Sequence, residues 1–580
     1  MSKNLFPLFT QLGGTKQDLP SHMVGPQAWW SQIGLRTTEG GLSAVPAKRL
    51  GATLPGNKVI MVLNATENTP YTHIFLASTN LRVYDISPEG DQVQLPWYNS
   101  TGDLSSLVSP ASFGPDPVSW TVFDQAIYFT QLGLPGGVWK VTPRGVTICG
   151  TPAWTIPLTQ TTRTALPSAR YIGVFFDHLF LANVNWGGNL NANRLRWSNL
   201  REFAVFNPTR KNEADWYDFL DSEKDRYFGI TGMHIVNDLM FILTPASVNI
   251  VRYVGLPRVI RVHEGVAKVG NDFPFGSINV HGTIWFISER AASIFVFNGQ
   301  SSAVRGKEII RLFINDLTTD PRYRYNVRAY HDEREGEIVW AYCGKGYAWG
   351  GATFGATVLN SELVHNYRTN TWYFRRAPQG EFIEYFPCGG ALTAKPIGVF
   401  SEQIQSLNQS IDDLSQSANS LQLPFWVGKK LNELNVDIPV EVYNSDDKPA
   451  GTLDDRLTAS TENMVLETGD FDFGAPAHVK EVESMFLDCD FDPEEATLKI
   501  EVAARKGLSE TLTWKAFTIT KTPLSMQEQR VSLPRCAGRF FRFRFTLQKK
   551  AGVAQLTKWV WKGFAPYVYG LPENTNSPEK

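Results

Sequence analysis

Asp215, Asp218, Asp221 and Asp225 fall at spacings of three and four residues beside Trp216 and Tyr217. Carboxylates paired next to aromatic rings are the raw material of glycoside hydrolysis, where one protonates the leaving group and the other activates water or attacks the sugar. Nothing around them completes such a site, and a solvated acidic connector is the preferred reading. The nine histidines form no His-Glu-x-x-His pair or other metal-binding group, and His263-Glu264 reads as an ordinary loop pair. No Gly-x-Ser-x-Gly elbow is present to expose a nucleophilic serine. Gly306-Lys307, Gly344-Lys345 and Gly428-Lys429 each lack the earlier glycine of a phosphate loop, and the Gly-rich run 344–351 lacks dinucleotide spacing. The five cysteines are scattered without a Cys-x-x-Cys, which suits idle thiols in a reducing cytoplasm. The expectation is a chain with no catalytic residue, no cofactor and no metal ligand.

The elements that would position any site are strands. Tyr171–Phe176 and Leu179–Val184 are apolar runs joined by a polar turn at Asp177-His178, the mark of a β-hairpin. Arg194–Trp197 resumes as a third strand after a Gly/Asn loop, residues 185–193. The unit recurs with turns at Asp124-Gln125, Asn237-Asp238 and His281-Gly282, and with a stretched turn at 331–336. Its third strands are expected at 137–141, 248–253, 294–298 and 371–374, and a shorter copy at 71–86. Successive turns lie about 45 to 60 residues apart, a period at which small antiparallel sheets stack as the blades of a β-propeller. The count is about six blades, with room for another between Phe382 and Leu407. The Ser-x-Asp-x-Gly-x-x-Trp turn of sialidase-like propellers is absent, which weakens the glycosidase reading further. Asn189, Asn191, Trp216 and Tyr217 are the candidate loop contacts beyond the blade.

Hydrophobic residues make up 43% of the 580 and charged residues 19%, so large cores can form and general disorder is excluded. A net charge of −2 gives no global pull toward nucleic acid or anionic membrane. The N-terminus shows no secretory signal, and no apolar run approaches a membrane span, so no membrane anchor is expected. Residues 1–45 read as an extended arm, with Trp29 and Trp30 as an exposed-looking pair and interface candidates. Residues 46–423 hold the propeller. Ile404, Leu407, Ile411 and Leu414 predict one short amphipathic helix within Ser401–Leu421, at its boundary.

Residues 424–570 form a second β module with the strand spacing of a sandwich, and 571–580 a flexible tail. There Phe541, Phe543 and Phe545 alternate with Arg542 and Arg544, placing rings in the core and guanidinium groups on an interface face. That separation argues against a stacking platform for single-stranded nucleic acid. Residues 433–495 carry roughly eighteen acidic side chains against three basic, and 496–564 about fourteen basic against three acidic. Either the sandwich has an acidic and a basic side suited to head-to-tail association, or interleaved strands mix the charges. The fold class expected is all-β, an irregular propeller plus a C-terminal sandwich-like module.

Several short stretches resemble one family. Gly13-Gly14-Thr15, Asp18-Leu19-Pro20, Gly34-Leu35-Arg36 and Gly40-Gly41-Leu42 are similar to the opening of the β-propeller tail nozzle proteins of short-tailed bacteriophages. Pro167–Tyr171, Phe176–Phe180, Arg194–Ser198, Gly229–Met233 and Tyr253–Gly255 resemble their middle, and Glu467–Asp470 and Arg539–Phe545 their last module. The resemblance implies a structural virion protein, not an enzyme, made in the host cytoplasm and built into the tail. It implies a homo-hexameric ring built by the 424–570 platform module, which the arm of residues 1–45 joins in some members, an adaptor above, a tail fibre, needle or other distal protein below, and passing genomic DNA in the channel. The alternatives are a receptor- or fibre-docking propeller that binds glycans and, ranked last, a propeller glycosidase.

Overall fold

The computed structural model describes, side chains included, most of residues 118–149, 166–219, 229–345, 361–374, 465–519, 530–550 and 561–569, with 28–30 and 42; elsewhere only strands are described. The chain is all-β, a propeller joined to a sandwich.

Blade 1 comprises Val59–Asn64, His73–Ala77, Arg82–Ile86 and Gln92–Leu95. Blade 2 comprises Ser119–Phe123, Ala126–Thr130, Val138–Thr142 and Gly145–Ile148. Blade 3 is Ser168–Phe175, His178–Trp186, Asn189–Trp197 and Asp215–Asp218; blade 4 is Gly232–Val236, Leu239–Leu243, Val248–Tyr253 and Ile260–Ala267. Blade 5 follows with Ile278–Val280, Thr283–Ser288, Ser293–Phe297 and Ser302–Arg305, and blade 6 with Val327–Asp332, Glu337–Tyr342, Ser361–Asn366 and Thr371–Arg376. Blade 7 takes Phe382–Thr393, Gln422–Lys430 and Val440–Ser445; its fourth strand, Lys48–Leu54, comes from before blade 1, and the short strand Arg456–Leu457 pairs outside it. The first strand of each blade lies against that of the next, from blade 2 round through blade 7 to blade 1.

Small antiparallel sheets need an apolar face to pack on, and the described blades 2–6 share buried apolar layers with their neighbours. Phe180, Leu195 and Trp197 of blade 3 meet Met240, Ile242 and Val251 of blade 4 in one buried cluster. Polar residues in or just after second strands fasten the chain as it enters the next blade. Thr130 Oγ1 accepts from Ala169 N at 3.2 Å, Asn183 Nδ2 donates to Ile230 O at 3.2 Å, and Thr244 O accepts from Asn271 N at 2.9 Å.

Several expectations shift. Seven blades are present, the seventh beginning at Phe382 where room was left for one, and it is completed by a strand distant in sequence. The boundary at 423/424 falls inside Gln422–Lys430, one continuous strand of blade 7. Thr371–Arg376 is a fourth strand, not a third; Ser361–Asn366 takes the third place. The Gly/Asn stretch 185–193 is mostly strand, with its hairpin turn confined to Gly187 and Gly188, both at positive φ. A two-residue turn of that kind continues the strand twist, so ladder pairing overrides asparagine's poor strand preference. A helix, Ile310–Asp316, precedes blade 6. The helix expected within 401–421 and the tail 571–580 lie outside the described residues.

The sandwich is built by both ends of the chain. One sheet runs Trp29–Ile33, Met464–Thr468, Phe540–Lys549, Ala496–Arg505, Trp514–Ile519, and touches blade 6 through a parallel pairing of Ile33 with Phe374. The other runs Leu35–Thr38, Gly41–Ala44, Trp559–Tyr569, Lys480–Phe491, Arg530–Gly538, with Lys3–Leu5 also on Trp559–Tyr569. Four short strands of the arm are therefore sandwich strands. Trp29, Phe541, Phe543, Phe545, Trp561 and Phe564 fill the space between the sheets.

Candidate functional site

Two places gather the residues that sequence singled out. The first is the outer edge of blade 3. Arg194 and Arg196 alternate with Leu195 on the third strand, and Trp216 and Asp218 sit opposite them on the fourth. Arg194 grips Asp218 with two hydrogen bonds of 2.7 and 2.6 Å, a bidentate pairing that fixes both planes. Arg196 is buried, donates to Phe206 O at 2.7 and 3.2 Å, and lies 3.8 Å from the centre of the Trp186 ring. Burial, with Arg194 nearby, pulls its guanidinium down to about 10. Trp216 is 41% exposed and lies 5.4 Å from both guanidinium carbons. Tyr217 turns the other way, donates to Glu264 of blade 4 at 2.5 Å, and is pushed up to about 12 by burial and that carboxylate.

This edge is a cation–π stack closed by an ion pair, and most of its groups are committed to one another. Asp218 is held by Arg194, and Asp221 and Asp225 lie outside the described residues. Asn189 is exposed and Asn191 half-buried, both beside the Gly187-Gly188 turn, on strand rather than loop. The stack was missed in the sequence. Its signal was the alternation Arg194-x-Arg196 beside Trp186 and Trp216, but only the strand register brings those four together.

The second place is the outer face of the sandwich. Trp29 is not exposed: it is fully buried, edge-on to Phe545 and Trp561 at 6.4 and 5.8 Å between ring centres. Adjacent strand residues point to opposite faces, so only one of the two tryptophans can be outside. Trp30 is that one, and the Arg542 guanidinium carbon lies 5.3 Å from its ring centre. Arg542 reaches Asp470 at 2.8 Å and Glu467 at 3.1 Å; Arg544 reaches Glu467 at 2.9 Å and stacks on Trp514 at 4.1 Å. Arg505 shares Asp470 at 2.5 Å. The arginine row is thus a paired ladder, Arg542 only 8% exposed, in place of an open cationic face. The cause is strand order: acidic Met464–Thr468 and basic Phe540–Lys549 are neighbours, so the two charge blocks of the sequence interleave.

No family model matches the chain, and no curated protein does. Among solved structures it is similar to the Pan2 WD40 domain of Neurospora crassa, at 9% identity and a TM-score of 0.30 over 70% of this chain and 97% of that one. It is also similar to the N-terminal domain of Nup159, at 9% and 0.28 over 68% and 84%. A third is the dihydro-heme d1 dehydrogenase NirN, at 10% and 0.32 over 66% and 68%. The propeller rests on the chain's own strand order, and none of these neighbours lends it an activity. Among the described residues no group of three or more His, Cys, Asp or Glu is placed to hold a metal ion. Burial pushes the Cys149 and Cys343 thiols up to about 12, which makes them poor nucleophiles.

Proposed function

We propose that the chain is a structural virion protein, the subunit of a ring-shaped tail nozzle that retains a phage genome and then conducts it into the host. One observation carries the reading: the N-terminal segment closes blade 7 and also supplies strands to both sheets of the sandwich. A chain stitched in this way couples propeller and sandwich through paired backbone, which suits a wall that must stay rigid. Three arginines of the sandwich, Arg505, Arg542 and Arg544, are paired with Glu467 and Asp470. Phosphate affinity grows with each available cation, so pairing them favours low drag on passing DNA.

The partners this reading implies are further copies in a hexameric ring, the adaptor above, distal tail proteins below and DNA in transit. The chain mixed with the adaptor of the same virus should co-sediment as a stacked complex; two separate peaks at all ratios would contradict it. Trp216 supports a second reading as a glycan-docking propeller, because an indole exposed on an edge strand can stack on a sugar face. Binding on a glycan array that disappears with Trp216→Ala would favour that reading, and an unreactive array would remove it.

A further inference from the structure

The end of the propeller that carries the first hairpin turns of blades 3 and 4 exposes a run of apolar side chains. Phe176 occupies the two-residue turn between Ser168–Phe175 and His178–Trp186, and its ring stacks on Tyr253 of blade 4 with 4.5 Å between centres. The turn at Leu200-Arg201 is tied to the same spot, because Arg201 N donates to Asp177 O at 2.8 Å. Tyr253 leads into the loop 254–259, closed by Val254 N donating to Val259 O at 3.0 Å. Leu256 is 71% exposed, and Phe176, Leu200 and Val254 between 42% and 49%. Exposed apolar residues scattered singly are ordinary, but four brought to one place by three separate segments are not. Phe176 and Asp177 are also held at φ 46° and 59°, in a turn that favours Asn or Gly. A bulky ring there is strained, and strain of this kind gathers at binding sites.

Cations accompany this patch. Residues 252–261 hold Arg252, Arg258 and Arg261 and no acidic residue, in a chain whose net charge is −2. All three are exposed, and Arg252 lies directly opposite Arg261 across the strand pair, an unfavourable placement for like charges that an anion between them would relieve. Most nearby carboxylates are engaged: Asp177 by Arg201 at 2.8 Å, Glu202 by Asn199 at 2.6 Å and Glu213 by His178 at 3.2 Å. Asp238, exposed in the adjacent hairpin turn, is the counter-charge that remains. The apolar groups thus stand on turns, with the arginines on the same loop and at its base. A bilayer surface accepts that arrangement, because aliphatic tips enter the headgroup–acyl boundary while guanidinium groups stay level with the phosphates. A protein partner is anchored instead by an aromatic or arginine seated in a pocket, and Phe176 is already covered on one face by Tyr253.

We propose that this end of blades 3 and 4 seats on an anionic lipid surface, with Phe176, Leu200, Val254 and Leu256 inserted and Arg252, Arg258 and Arg261 against the lipid phosphates. Such a contact goes beyond the nozzle reading, which needs no lipid, and it requires no membrane span.

Flotation of the full chain with vesicles tests it. The parent should float with vesicles of phosphatidylethanolamine and phosphatidylglycerol, and only weakly with phosphatidylcholine vesicles. Val254→Ser with Leu256→Ser should weaken binding about tenfold or more. Arg252→Gln with Arg258→Gln should weaken it about fivefold for each cation removed on the anionic vesicles, with little change on the neutral ones. Both variants replace exposed side chains and should keep the parent's melting temperature. A parent that floats with neither vesicle overturns the proposal, as does equal binding by the serine variant. Loss in the arginine variant alone overturns insertion and leaves surface adsorption. Should the double serine variant fail to fold, Leu256→Ser alone decides in the same way. A parent that does not float, joined with loss of adaptor co-sedimentation in the serine variant, would give the patch to a protein and overturn the lipid. The ring reading survives a failure to float, and falls only if no ring forms with the adaptor.

Discussion

Trp29 anchors the arm in the sandwich, its ring fully buried against Phe545 and Trp561. Trp29→Ala should cost about 3–5 kcal/mol by chemical denaturation, the usual range for emptying a core aromatic site. Trp30→Ala, one residue on, removes only a half-buried stack on Arg542 and should cost about 1 kcal/mol. Three histidines set an acid limit. Burial pulls His234, His331 and His365 each down to about 4 from the ordinary value near 6.5, and His234 also bonds Ser277 at 2.8 Å. With the folded value below the unfolded one, the unfolded chain takes up protons first. Stability from these groups is therefore full above about pH 6.5 and is lost as pH falls toward 4. The melting temperature should drop across that window, and His234→Gln should flatten the drop; an unaltered profile in the variant would contradict the assignment. At this scale the sequence was half legible. Phe541, Phe543 and Phe545 follow from alternation alone, but the same rule needed a known inward face to decide which of Trp29 and Trp30 was buried.

Hairpins were the most readable elements, since Asp124, Asn237 and His281 all lie at the tight turns their polar character marks, each at positive φ. Outer strands were not, because Asp215–Asp218 and Ser302–Arg305 are short and largely exposed and so carry no apolar run. Glycines at the joins differ in what they tolerate. Gly187 and Gly229 both have positive φ, but a Cβ at Gly187 meets nothing within 4 Å, whereas at Gly229 it would lie 2.3 Å from Ala192 O. Gly187→Ala should cost about 1 kcal/mol from the backbone alone, and Gly229→Ala clearly more, because the entry to blade 4 must move. Equal losses in urea melts of the two variants would contradict this account of the join. The strand Lys48–Leu54 gives a further test. Deleting residues 1–54 removes the fourth strand of blade 7 and four sandwich strands at once, so the shortened chain should lose its cooperative melt; retention of the parent's transition would contradict the stitching.

At the scale of the molecule, the propeller was visible in the recurrence of hairpins, while its closure was hidden. Lys48–Leu54 pairs with Val440–Ser445 across nearly the whole propeller sequence, and no local pattern announces a partner so remote. The same distance hid the sandwich, whose strands come from both ends of the chain and whose acidic and basic blocks interleave into a ladder. The chain draws its strength from its construction: inter-blade cores and strands stitched across two modules. Electron microscopy of the purified protein, alone and with the adaptor that the proposed nozzle would join, tests the proposed ring most directly. End-on views should show closed rings around a central channel, with the propellers arranged about it. Single propellers at every concentration, with no ring even in the adaptor's presence, would contradict it.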